Sequence, residues 1–216
     1  MKNTLVLEML KAGRLGELEK KLEDEIYQES LKRNPDEKKR YAAMKKYFSY
    51  VSSAREVLQK PYQVKYEHIW YTSFCNSYSL VLTTEVTGNI ELFDSTSGTY
   101  PDVTRLINCN GSSSEINFTK VLAKAKSKGY KLKKSEVSTN NYLMYYDGAY
   151  FRIGLLDITY AIINDGKNST VYHKKGNSGS PITIVNDIGY AVIMPVRIDD
   201  EIDEKWVVIK VEEGDE

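Results

Sequence analysis

The chain has 216 residues, 41% hydrophobic and 28% charged, a composition that fits a folded protein with a sizeable core and excludes a disordered one. Thirty Lys and Arg balance thirty Asp and Glu, and that zero, taken alone, excludes a strongly basic nucleic-acid binder. The balance is a cancellation, because residues 1–198 hold 28 basic against 21 acidic side chains and residues 199–216 hold two against nine. Two cysteines (Cys75, Cys109) and two histidines (His68, His173) are too few for a disulfide scaffold or a Cys/His metal cluster, so neither metal nor cofactor is expected. No apolar run reaches the roughly 18–20 residues of a membrane span. Glu8 interrupts the apolar stretch at the start, so no signal peptide is expected and a cytoplasmic location follows. Without a secretory signal, the sequons at Asn110, Asn117 and Asn168 read as chance.

Residues 1–35 read as a helical extension, with Gly13 and Gly16 dividing a short helix from a longer one. Leu15, Leu18, Leu22 and Ile26 fall on one face of the second helix, with Glu and Lys opposite. Asn34-Pro35-Asp36 is a break and a helix start. The next helix runs from 36 to about 58, with Tyr41, Met44, Phe48, Val51 and Leu58 as its buried stripe and Lys45 and Lys46 off it. Residues 62–94 alternate and are rich in Tyr, Val, Thr and Ile, which predicts three antiparallel strands, VKYEHIWYTSF, YSLVLTTEV and NIELFD. A Ser-, Gly- and Asn-rich connection over 95–115 carries YPDVTRLI.

A helix over 116–128 follows. Its apolar face is Phe118, Val121, Leu122 and Ala125, and Gly129 is its C-terminal stop. Lys120, Lys124 and Lys128 lie on its outer side at i, i+4 and i+8, followed by Lys131, Lys133 and Lys134. Strands are expected at 142–146 and 149–153, a short helix at 154–164, then three strands, STVYHKK, SPITIVN and YAVIMPVRI. The acidic tail, 199–216, holds one further apolar stretch, KWVVIKV. Helices alternating with groups of strands indicate an α+β fold, with antiparallel sheets covered on one face by helices. The body is 36–198, with an internal boundary near 100–110.

Gly176-Asn177-Ser178-Gly179-Ser180-Pro181 is the sharpest local string. It resembles the nucleophile loop of chymotrypsin-like serine proteases, in which Ser178 would attack a carbonyl and neighbouring N–H groups would stabilise the oxyanion. His68 stands in a strand-like context, and His173 is only five residues before Ser178. The turn reading is preferred, since Gly, Asn and Ser are turn residues in any case. No enzyme activity is expected.

Residues 151–198 carry a different likeness. Tyr190, Met194, Pro195, Val196, Arg197 and Ile198 follow, in order, the last-strand pattern Tyr-x-x-x-Met-Pro-x-Arg-(Leu/Ile), and Pro181-Ile182-Thr183-Ile184 matches the strand before it. Upstream, Tyr100-Pro101-Asp102-Val103-Thr104-Arg105-Leu106-Ile107 matches an inter-domain connector, and SEINFTKVLAKAKSKG matches the strand and helix after it. Together these segments resemble the bacterial DNA sliding clamp, the β subunit of the replicative polymerase. Asn108 replaces a connector proline, eighteen residues follow Ile198, and 216 residues are too few for three clamp domains. The likeness is therefore to a shortened, phage- or prophage-type relative.

The resemblance implies a DNA-clamp-like fold and a non-enzymatic processivity factor of DNA replication. It implies sequence-independent association of Lys120, Lys124, Lys128, Lys131, Lys45 and Lys46 with double-stranded DNA phosphates. It also implies docking of polymerase or repair-protein peptides at Val192, Met194, Pro195, Val196 and Arg197. Encircling DNA would require a homo-oligomer. A clamp-fold interaction module without DNA binding stays open as the alternative. The seventeen tyrosines are read as half-buried strand residues.

Overall fold

The computed structural model describes residues 3–50, 56–84, 90–94, 99–133, 141–198 and 205–211. Helices α1 (Asn3–Lys11) and α2 (Leu15–Arg33) form a hairpin that turns at Gly13, whose φ of 68° a glycine adopts without strain. Helix α3 (Pro35–Tyr50) begins on its proline, and the Asn34 side chain accepts the Glu37 N–H at 3.2 Å. The predicted Val51 lies outside the described residues, and Leu58 sits in a separate 3-10 turn, Glu56–Leu58.

Seven strands make the larger sheet. They are β1 (Tyr62–Tyr66), β2 (Ile69–Cys75), β3 (Ser79–Thr83), β4 (Ser112–Ile116), β7 (Ser169–His173), β8 (Ile182–Asn186) and β9 (Gly189–Ile193). Their order is β1-β2-β3-β9-β8-β7-β4, antiparallel throughout. The smaller sheet is β10-β5-β6, from β5 (Tyr142–Tyr146), β6 (Ala149–Arg152) and β10 (Val207–Lys210), with β10 parallel to β5. Helices α4 (Phe118–Ser127) and α5 (Ile153–Ile163) complete the fold.

Alternation decides which side chains go where. Phe74, Val81, Ala191, Ile193, Ile182, Ile184 and Val171 face the main core with α3, α4, α5 and the smaller sheet. Tyr71, Cys75, Leu80, Leu82 and Val192 face the other way, onto Leu58, Tyr100 and Val103. The sheet is therefore covered by helices on one face and by the connector on the other. Gly189 is required where β9 meets β3, because an added Cβ would stand 1.9 Å from the Leu82 carbonyl oxygen.

Four expectations need correction. VKYEHIWYTSF is two strands, joined at Glu67 and His68 with φ of 46° and 71°, a two-residue turn without glycine. NIELFD, of which 90–94 are described, forms no strand there. YAVIMPVRI leaves the larger sheet after Ile193, and Val196 bridges Tyr150 of β6 instead. Pro195, with no N–H to offer a ladder, marks the step. On α2, only Leu18 of the expected apolar face is buried, because the helix packs by its other side.

Candidate functional site

Helix α5 is apolar on all sides, and nine of its eleven residues are buried. One side meets β3 and β9, and the other is covered by α3. Tyr47 of α3 is fully buried, and its hydroxyl bonds to the Ser79 carbonyl at 3.1 Å and to Ser79 Oγ at 2.9 Å. Asn76 Nδ2 donates to the same oxygen at 2.7 Å. Burial holds the Tyr47 phenol well above its ordinary pKa, so it stays neutral. Arg40 of α3 donates to the Asn164 carbonyl at 3.2 Å, capping the end of α5. Helix α3 is thus bolted to the core, and it covers the side of α5 that the larger sheet leaves open.

Helix α4 is amphipathic. Asn117 caps it by accepting the Lys120 N–H at 3.1 Å, and Phe118, Val121, Leu122 and Ala125 are buried. Gly129, at φ 93°, ends it. Lys120, Lys128 and Lys131 are exposed, Lys124 is half-buried, and Lys134 lies outside the described residues. Lys126, which the spacing of the other three passed over, is exposed too. Lys124, Ser127 and Lys128 line a cleft of about 400 Å³ against Val208, Ile209 and Lys210 of β10, and Lys128 Nζ donates to the Val208 carbonyl at 3.4 Å. The acidic runs 199–204 and 212–216 flank that strand in sequence.

The other predicted lysines are apart from these. Lys45 Nζ lies 4.5 Å from the Tyr41 ring centroid, in a cleft of about 380 Å³ shared with Glu17, Lys20, Lys21 and Asp24. Lys46 is exposed on α3. The lysines of α3 and of α4 therefore sit in separate settings.

The Met-Pro segment spans two environments. Val192 is buried in the connector-side cluster, and Met194 is 37% exposed. The Met194 N–H donates to the Tyr78 carbonyl at 3.0 Å, which seats Met194 beside Tyr78, itself 50% exposed. Pro195 and Val196 are half-buried, Arg197 is exposed, and the Val196 N–H donates to the Tyr150 carbonyl at 2.7 Å. The connector runs nearby. Asp102 caps the 3-10 turn Val103–Leu106 by accepting from Thr104 N–H at 3.2 Å, and Leu106 is 44% exposed. The Asn108 N–H reaches Thr183 Oγ1 at 3.3 Å, on the β8 residue paired with Val192. Tyr78 was not named in the sequence reading, and Leu106 was read only as part of the connector; the bond from Met194 identifies the first and exposure the second.

The serine-protease constellation is not assembled. Ser178 is exposed in a turn, whereas the His173 side chain is fully buried, with Nδ1 3.2 Å from Asp147 Oδ2. A buried imidazole cannot serve a substrate attacked at an exposed hydroxyl. His68 lies at a hairpin tip. Among the described residues, no group of three or more His, Cys, Asp or Glu could hold a metal, and no helix is long and apolar enough to cross a membrane.

No protein-family model matches the sequence, and no curated protein matches it. Solved structures do. The DNA polymerase III subunit β of Borrelia burgdorferi, in complex with a natural product, aligns over 76% of this chain and 62% of its own at 11% identity and a TM-score of 0.50. A putative DNA polymerase III β subunit from Eubacterium rectale covers 76% of this chain and 64% of its own, at 10% identity and a TM-score of 0.49. The griselimycin-bound DnaN sliding clamp of Bartonella birtlesii covers 72% and 64%, at 11% identity and 0.45. The chain spans less than two thirds of each of these proteins. The fold is that of the sliding clamp: α+β, with an antiparallel main sheet and helices packed on its face.

Proposed function

We propose that the protein is a non-enzymatic, clamp-fold interaction module that docks partner peptides at the surface formed by Tyr78 and Met194. The exposed Met194 side chain carries this reading: an adaptable apolar group two residues beyond buried Val192, with its N–H bonded to the carbonyl of the exposed Tyr78. Leu106 of the connector adds a second exposed apolar group. Arg197 supplies a donor for a partner carboxylate or carbonyl.

The test is a fluorescence-anisotropy titration of the full chain with a labelled peptide copied from the clamp-binding segment of a replicative polymerase. Met194→Asp is expected to weaken binding at least tenfold, with the melting temperature unchanged because the side chain is exposed. Equal affinity of the two proteins would overturn the reading.

DNA association is a second reading, favoured by the exposed Lys120, Lys128 and Lys131. It is weakened by the covering of α5 and by the acidic runs attached to both ends of β10. On this reading Lys120→Glu with Lys131→Glu lowers affinity for duplex DNA and flattens its salt dependence in filter binding. Changing Asp199, Asp200, Glu201, Asp203 and Glu204 to their amides raises it. Encircling DNA also needs a closed homo-oligomer, which light scattering measures.

A further inference from the structure

Among the described strands, β10 alone pairs in parallel, and it stands at the rim of the smaller sheet. Its seat is shallow. Ile209 is its one fully buried side chain, with Val207 and Val211 half-buried against the main core. The Val207 N–H donates to the Asn141 carbonyl at 2.9 Å, and the Val211 N–H donates to the Tyr145 carbonyl at 3.2 Å. Just before the strand, the half-buried Trp206 ring lies with its centroid 4.9 Å from the Arg152 guanidinium. A short parallel rim strand with one buried side chain belongs to the least stable part of a fold. Strands β8 and β9, by contrast, are paired on both sides.

What β10 covers is cationic. It forms one wall of the cleft whose other wall carries Lys124, Ser127 and Lys128, and its own Lys210 adds a third ammonium group. Among the described residues, no carboxylate lines this cleft. Lys124 is half-buried there, whereas Lys126 of the same helix is exposed. The counter-charge is attached to the strand itself: five acidic residues over 199–204 precede it, and four over 212–216 follow. Glu212 is two residues beyond Lys210, so the chain keeps their Cα atoms within about 7 Å of each other. That is inside the Debye length of about 8 Å at physiological salt. Seating β10 therefore both builds the wall over Lys124 and keeps carboxylates within electrostatic reach of the cleft.

We infer that β10 is an autoinhibitory strap: seated on β5, it screens the cleft lysines of α4 from polyanions, and unseated, it opens them. Control acts through the seat of the strand and not through tail charge alone. The consequence for nucleic acid rests on the DNA-association reading; the screening of the lysines does not.

The strap is tested first in the unaltered chain. In amide hydrogen exchange, Val207 and Val211 are expected to exchange at least a hundredfold faster than the slowest amides of β8 and β9. Equal protection would overturn the inference. Screening is then read by acylating lysines and following each one by mass spectrometry. Trp206→Ala, which removes a ring outside the core clusters, and Trp206→Ala with Ile209→Ser both keep the charge of the chain unchanged. Each is expected to raise the reactivity of Lys124 at least threefold relative to Lys126. Unchanged reactivity in both variants would also overturn the inference. In filter binding, the same variants are expected to hold duplex DNA at least fivefold more tightly than the unaltered chain. Equal DNA affinity would overturn the strap as a regulator while DNA association itself stood. Uncovered lysines with no DNA bound by any of the three proteins would support the strap and remove the DNA reading.

Discussion

Helices α4 and α5 both pack on the main core, yet they have opposite characters. Helix α4 keeps one apolar face and turns its three lysines, with Lys128 at its C-cap, to the outside or to the cleft beside β10. Helix α5 has no lysine or arginine, and α3 covers the side that the larger sheet leaves open. Helix α5 is an interior element, and α4 is a surface one. The contrast follows from cover, since α3 packs on α5 while the lysine side of α4 is largely exposed. Lys120, Lys126 and Lys128 near α4, and Tyr78 and Met194 at the sheet's edge, are exposed, whereas α5 is not.

This contrast can be broken most sharply by truncation. Leu156→Ala in α5, at a fully buried site, should cost about 2–5 kcal/mol in urea unfolding, whereas Lys120→Ala on α4 should stay within about 0.5 kcal/mol. Similar losses at both sites would mean that α5 is not a core helix.

The bolt between α3 and the sheet comes next. Tyr47→Phe keeps the ring and removes a hydroxyl that bonds to Ser79 and receives a bond from Asn76. Leaving those buried groups short of a partner should cost about 1–3 kcal/mol. A loss too small to measure would show that water replaces the hydroxyl and that α3 is loosely seated.

The smallest effect concerns Asp157, the one acidic residue of α5. Burial pushes its carboxyl above the ordinary carboxylate value, against the opposing pull of Lys126 and of the Tyr130 hydroxyl, which donates to Oδ2 at 3.2 Å. A raised carboxyl favours the folded state below its unfolded pKa, and that contribution is lost as pH rises through its folded value. Asp157→Asn should therefore be neutral or mildly stabilising at pH 7. It should also remove this part of the pH dependence in melts taken between pH 4 and 7. A variant clearly less stable at pH 7 would mean that the charged carboxylate, not its burial, dominates there.

Elements with strong periodicity were legible from sequence. The strands at 142–146, the helix over 116–128 and the buried face Phe118, Val121, Leu122 and Ala125 are all present as expected, give or take two residues. Val192 lies in the last strand as expected, whereas Met194 and Arg197 lie beyond its end, because the step at Pro195 into a second sheet is a tertiary event that no local pattern encodes. The Glu67-His68 hairpin was invisible because it uses none of the residues that normally mark a left-handed turn; its positive φ values are held by the pairing of β1 with β2. Tyr47 was missed because Phe48 next to it fitted the helical stripe equally well. For α2, periodicity correctly found a face but could not say whether it points inward or outward, since both produce the same pattern.

The pairing of β3 with β9 sets the order of events when the chain folds. The hairpins β1–β2, β5–β6 and β8–β9 each join neighbours and can form quickly. Ser79 and Ile193 must instead find one another across most of the chain, so the middle of the sheet closes late. On a ribosome, β3 emerges with one edge open and stays so until Gly189 and the residues after it have been made. During that interval Leu80, Val81 and Leu82 are the segment most in need of protection.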